Sequence, residues 1–320
     1  MLTRNKNTLG RIFAGNNAKH FDGGFMNNIH GIFAVTVTHF NDDGSIDYTS
    51  IAKHVQWLLQ SGVHGIMPVG ATGEWPALST QERRQVAEFV MKEVGGKVPV
   101  IVGAISPNVD VSVELSEHAG SIGAAGVMIL PPPGVHPSQH EIYEFYKYVA
   151  AKSPLPVMVY NNPGSCGVAV SPETLVKCAQ LPNMGFLKES SGDIMRLTRS
   201  VDEVGDRLVV FCGCESLAYE SFVMGAKAWV CVLANIAPAM CVRLYDLIVN
   251  KGQLDEARKV YRQMLPLLRL LEDTGELWQV VKHALALKGF GSGRLRRPRQ
   301  PISEGVRLEL EKVLAQTDFN

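Results

Sequence analysis

The chain has 320 residues, 46% apolar and 19% charged, a balance ordinary for a soluble globular protein. Its 31 basic and 31 acidic side chains cancel, which removes the electrostatic reason to expect nucleic acid or an anionic membrane as partner. No window of about eighteen uninterrupted apolar residues occurs, so no membrane-spanning helix is expected.

The first 28 residues are rich in Asn and Gly, and Arg4, Lys6, Arg11 and Lys19 all precede the first acidic residue, Asp22. With no Ser and little apolar periodicity, the segment reads as a disordered extension rather than a targeting peptide, and Met26 is an alternative start. From residue 31 short apolar runs alternate with longer amphipathic stretches. The runs are Gly31–Thr38, Gly65–Gly70, Val98–Ala104, Gly126–Pro131, Pro156–Asn161, Gly185–Glu189, Leu208–Gly213 and Ala228–Ala234. They lack strict alternation, as expected of parallel strands covered on both sides. Ile51, Val55, Leu58 and Leu59 form a helical face that stops at Ser61-Gly62. Ser79 with Gln81-Glu82 opens the next helix, which runs to Gly95-Gly96. Ser171-Pro172-Glu173 opens another, with proline where its missing N–H costs nothing. Eight strand–helix units predict a (β/α)8 TIM barrel over residues 29–250. The loop after the first run, Thr36–Asn41, has no glycine-rich nucleotide signature, which argues against an open doubly wound sheet. Helical stretches at Leu254–Asp273, Glu276–Leu287 and Ser303–Gln316 predict a C-terminal helical region, 251–320, packed on the barrel.

Catalytic groups of such a barrel sit at the C-terminal ends of its strands. Three motifs meet that rule: Gly70-Ala71-Thr72-Gly73-Glu74, Tyr160-Asn161-Asn162-Pro163 and Lys188-Glu189-Ser190-Ser191-Gly192. Lys188 follows an apolar lead-in, so its amine is expected in a confined site. It reads either as the ion-pair partner of a carboxylate such as Glu74 or as an amine nucleophile for a carbonyl. Residues 70–73 offer closely spaced backbone N–H groups and one hydroxyl, a nest suited to a carboxylate, or else simply a tight turn. Opposite the lysine, such a nest supplies the second half of a 2-oxo acid site. Tyr160 is either a packed core residue or the acid/base of an amine that passes through carbinolamine and imine. Glu74 either caps a turn and supports the lysine or handles protons during elimination.

Together these motifs resemble the dihydrodipicolinate synthase/N-acetylneuraminate lyase family, from about Ile29 to Gln316. The resemblance implies a barrel with a helical appendage, usually homotetrameric. It also implies Schiff-base chemistry at Lys188, acid/base chemistry at Tyr160 and carboxylate binding around Thr72. Ala71, Thr72, Gly73, Glu74, Ser190 and Val230 form the expected substrate-binding set. The small 2-oxo acid is the expected partner, with no cofactor and no metal, since the amine already serves as electron sink. Three positions depart from the lysine-biosynthetic branch, 4-hydroxy-tetrahydrodipicolinate synthase. Ala71 replaces a relay threonine, Pro131-Pro132-Pro133-Gly134 replaces a tyrosine pair, and Ser165 replaces the arginine that binds the second substrate. The stretch Cys166–Pro172 is partly similar to the pyrroline-hydroxycarboxylate deaminase branch. A non-catalytic ligand-binding barrel is the remaining alternative.

Other constellations read as structural. The six cysteines show no CxxC spacing and read as buried reduced thiols of a cytoplasmic protein, and Cys212-Gly213-Cys214 reads as packing. No histidine pair has ligand spacing near a strand end. The basic run Arg294–Arg299 reads as a solvated connector.

Overall fold

The computed structural model describes residues 29–316, and the expected extension over residues 1–28 lies outside them. Eight short strands form one sheet: β1 (Gly31–Val35), β2 (Gly65–Met67), β3 (Ile101–Gly103), β4 (Gly126–Ile129), β5 (Val157–Asn161), β6 (Met184–Glu189), β7 (Val209–Cys212) and β8 (Ala228–Cys231). They pair in the order β2-β1-β8-β7-β6-β5-β4-β3. All the pairings are parallel, and the Ile66–Val100 bridge closes the ring between β2 and β3. The result is a (β/α)8 barrel. Each expected apolar run supplies a strand, but most strands stop early. Residues 37–38 and 232–234 are buried without continuing the ladder, because apolar character reports burial and not strand pairing. Inside the barrel the Phe33 and Phe186 rings each meet Phe211 edge-on, with centroids 5.2 and 6.0 Å away.

Between the strands run α1 (Tyr48–Gln60), α2 (Thr80–Val94), α3 (Val109–Ser121), α4 (Gln139–Lys152), α5 (Pro163–Cys166), α6 (Pro172–Cys178), α7 (Ile194–Val204) and α8 (Ala218–Val223). The expected start signals act as caps. Ser79 and Glu82 exchange hydrogen bonds of 2.9 and 3.2 Å in a capping box, and Ser171 accepts the N–H of Thr174 at 3.1 Å. After β8 come α9 (Pro238–Tyr245), α10 (Leu254–Asp273), α11 (Leu277–Leu287) and α12 (Glu304–Gln316). The last three form the helical appendage. Glu272 on α10 fastens it to the C-terminal ends of the barrel strands by accepting the backbone N–H groups of Glu215 (2.6 Å) and Ser216 (3.0 Å) after β7. Among the described residues no helix is long and apolar enough to cross a membrane.

The basic segment before α12 corrects an expectation. Arg296 is not a solvated residue of a loose connector. Its guanidinium binds Glu82 at 2.6 and 2.9 Å and the carbonyls of Gly44 and Ala77, and it lies 4.5 Å from the Phe40 ring centroid. Charge density along the chain cannot reveal partners that the β1 and β2 loops bring from far away.

Candidate active site

Tyr160 and Lys188 stand opposite one another in the parallel register of β5 and β6, each one residue before its strand ends. Both are buried, at 4% and 6% exposure, and the Lys188 ammonium lies 4.0 Å from the centroid of the Tyr160 ring. Asn162 Nδ2 donates to the Tyr160 phenol oxygen at 2.7 Å. That bond fixes the phenol while leaving its own proton free to be donated.

One residue further along, at the strand ends, the next pair forms a polar lock. Asn161 Nδ2 donates to both oxygens of the buried Glu189 carboxylate, at 2.9 and 2.8 Å, and Asn161 Oδ1 accepts the N–H of Val170 at 2.9 Å. Glu189 also accepts the N–H of Ser191 at 2.8 Å and has Arg196 Nε at 3.9 Å. Glu189 is thus held as a positioning group for the turn after Lys188. The Ser190 N–H donates to Asn161 O at 2.8 Å, while its buried hydroxyl has no hydrogen-bond partner. Gly213, at the end of β7, lets this turn close. A Cβ there would collide with Ser190 Oγ, the Glu189 carbonyl and Lys188 Cγ.

The loop after β2 is built on strained backbone. Val69 and Glu74 both have positive φ, 61° and 56°, and a β-branched residue such as Val69 rarely adopts this region. Gly103 on β3 makes room for it, since a Cβ there would overlap the Val69 carbonyl. Thr72 and Gly73 are buried, Thr38 Oγ1 donates to the Gly73 carbonyl at 2.8 Å, and Trp278 Nε1 donates to that of Ala71 at 2.9 Å. Glu74 does not pair with Lys188, the bland reading of that lysine. Its carboxylate forms a fully buried ion pair with Lys282 of α11 and accepts the Arg296 N–H at 3.2 Å. Lys282 also donates to the Arg294 carbonyl at 2.8 Å and lies 4.2 Å from the Phe40 ring centroid. Burial, set against the attraction of Glu74, lowers the Lys282 ammonium to about 8.

Glu215, just after β7, is a buried carboxyl that motif reading did not single out. It accepts the N–H groups of Val232 and Leu233, both at 2.8 Å, and so ties the β7 loop to the end of β8. Burial pushes it up to about 8 despite these donors and the nearby Lys188 charge. Its sequence signal is one acidic residue after an apolar run, too common to stand out. Val230 is buried inside β8, in register with Phe33 of β1, and no polar contact ties it to Lys188. The structure therefore brings Lys188, Tyr160 and Ser190 together on adjacent strands, while Glu74 turns toward the appendage.

A closed barrel with a buried lysine and tyrosine on neighbouring strand ends, capped by three further helices, defines a class: (β/α)8-barrel enzymes with a C-terminal helical appendage. The Dihydrodipicolinate synthetase family profile matches residues 28–317. The chain belongs to that family and is a lyase. It is 33% identical over 294 residues to 4-hydroxy-tetrahydrodipicolinate synthase of Bacillus velezensis, covering 90% of this chain and 99% of that one. It is also similar to the chloride-inhibited dihydrodipicolinate synthase of Acinetobacter baumannii complexed with pyruvate. That match has a TM-score of 0.86 and 30% identity, and covers 90% of this chain and 98% of that one. A monomeric dihydrodipicolinate synthase variant superposes with a TM-score of 0.87 at 31% identity, covering 91% of this chain and 97% of that one.

Proposed function

We propose that this lyase forms a Schiff base between Lys188 and a small 2-oxo acid, with Tyr160 as the acid/base. The observation that carries the reading is the buried Lys188 ammonium 4.0 Å from the Tyr160 ring at the catalytic end of the barrel. Once the Lys188 ammonium has given up a proton, its nitrogen lone pair attacks the ketone carbon, and transfer of a second proton from that nitrogen to the ketone oxygen gives a carbinolamine. Loss of that oxygen as water leaves an iminium, which lowers the cost of removing a proton from C3 and yields an enamine. The phenol of Tyr160, oriented by Asn162, passes protons through these steps. The backbone N–H groups of Ala71, Thr72 and Gly73 are assigned to the substrate carboxylate, with the unpartnered Ser190 hydroxyl as a further donor. Glu74 is assigned to holding this loop through Lys282, and Val230 to the apolar wall. A relative of this chain bound pyruvate in its crystal, which supports a 2-oxo acid of that size. We assign the protein to the cytoplasm, as a homotetramer without nucleic-acid or membrane partners. The monomeric relative makes solution mass the test of that assembly.

The name carried by relatives at this identity favours a second reading, condensation of pyruvate with aspartate semialdehyde. Ala71, the 131–134 turn and Ser165 weigh against it, because Ala71 and the Pro131–Gly134 turn offer no relay hydroxyl and Ser165 is not an anchoring arginine. Ser165 is exposed, and its N–H is used by Asn162 Oδ1 at 3.1 Å. Methyl-proton exchange of pyruvate in heavy water tests the shared step. The wild type exchanges C3 protons, Lys188→Ala does not, and Tyr160→Phe is slower by about 100-fold or more. Absence of exchange by folded wild type, with longer 2-oxo acids also inert, favours a non-catalytic barrel. With exchange established, product analysis with aspartate semialdehyde or a hydroxylated pyrroline carboxylate separates the synthase and deaminase readings.

A further inference from the structure

We infer that the cavity between the turn at residues 74–77 and the segment 297–299 is a binding site for a small anion bearing carboxylate or phosphate groups. It has a volume of about 440 Å³, and its lining includes Glu74, Gln279, Arg296, Arg297 and Arg299. The charges decide its sign. Glu74 is neutralised by Lys282, and the Arg296 guanidinium by Glu82. Among the described residues Arg297 and Arg299 have no carboxylate partner, so two positive charges remain on one wall.

The donors are also arranged for use. The Arg299 guanidinium lies 3.3 Å from the centroid of the Trp278 indole, which holds the fork in place. A guanidinium so fixed loses little freedom when it takes a carboxylate or phosphate through two parallel hydrogen bonds. Burial lowers the Arg299 guanidinium and Glu74 works against that shift, and an anion in the cavity would act in the same sense as Glu74. Gln279, which also lines the cavity, adds a neutral polar side chain beside the arginines. Two charges and one neutral polar group fit a dianion of a few heavy atoms.

The cavity adjoins the proposed catalytic loop without being part of it. Trp278, beneath Arg299, donates to the Ala71 carbonyl, and Glu74 closes the 70–74 segment. Occupancy therefore bears on the loop assigned to the substrate carboxylate. That consequence for turnover rests on the proposed reaction, but binding itself does not.

The test titrates the full-length protein with inorganic phosphate and, separately, with succinate, by calorimetry and tryptophan fluorescence. The wild type, Arg297→Gln/Arg299→Gln, Trp278→Phe and Lys188→Ala are compared, each checked for folding by circular dichroism. The inference expects saturable binding of at least one probe, a fluorescence change absent in Trp278→Phe, and at least tenfold weaker binding in the double arginine variant. Phosphate alone or succinate alone identifies the group recognised. Lys188→Ala should bind as the wild type does. No saturable binding of either probe overturns the inference, as does binding undiminished by the arginine changes. Binding lost in Lys188→Ala but kept in the arginine variant belongs to the catalytic mouth and overturns it too.

Discussion

Gly213 illustrates how a residue with no side chain shapes the proposed site. The Lys188–Ser190 turn occupies the space a Cβ would need, and the colliding Glu189 carbonyl belongs to the backbone, which cannot swing away. Gly213→Ala should cost about 1–3 kcal/mol in urea denaturation, as overpacking does, and slow pyruvate proton exchange more than tenfold. The Glu74–Lys282 pair makes a different prediction. Breaking a buried ion pair leaves a lone charge, so Lys282→Met should destabilise by about 3–5 kcal/mol. Adding Glu74→Gln should recover part of that loss, and strictly additive effects would show that the two groups do not depend on each other. Glu215 carries a pH signature. Its folded value of about 8 lies above its ordinary 4.5, so the fold favours the neutral acid. That contribution is fully present below about 4.5 and is lost as pH rises through about 8. The stability of the wild type relative to Glu215→Gln should therefore fall between about pH 5 and pH 9, as thermal melts across that range would record. A flat difference would mean that Glu215 is ionised throughout.

The β5–β6 junction is the element that sets the geometry of the proposed Lys188–Tyr160 pair. Register alone places Tyr160 beside Lys188, and the next pair along, Asn161 and Glu189, locks that register through two hydrogen bonds. Asn161→Ala would leave a buried carboxylate short of its donor and Val170 N–H short of its acceptor. We expect a loss of about 2–4 kcal/mol from the unsatisfied groups, measured by urea denaturation, together with slower exchange even in protein that remains folded. At this scale much of the structure could be read from local sequence. The eight apolar runs, the Ser79 and Ser171 caps and the three C-terminal helices are short-range patterns, and each reports its element within a few residues. The strand ends were less legible, because burial continues past the point where the ladder stops.

Across the whole molecule, what escaped the sequence is long-range pairing. Glu74 and Lys282 belong to the barrel and to its appendage, and nothing near either residue names the other. Arg296 lies in a run that looks solvated until the β1 and β2 loops are folded around it. Glu215 becomes distinctive only when two backbone N–H groups from the end of β8 meet it. Lys188, Tyr160 and the 70–74 loop could be picked out as candidates because the fold rule places strand ends at one mouth, so sequence position translates into space. The Lys188 nitrogen is where the functional account stands or fails. Reduction with borohydride during incubation with pyruvate and longer 2-oxo acids, read by intact and peptide mass, tests it most directly. The account predicts a reduced adduct on the peptide carrying Lys188 and none in Lys188→Ala. An adduct on another lysine, or none from folded wild-type protein with any 2-oxo acid, would contradict it.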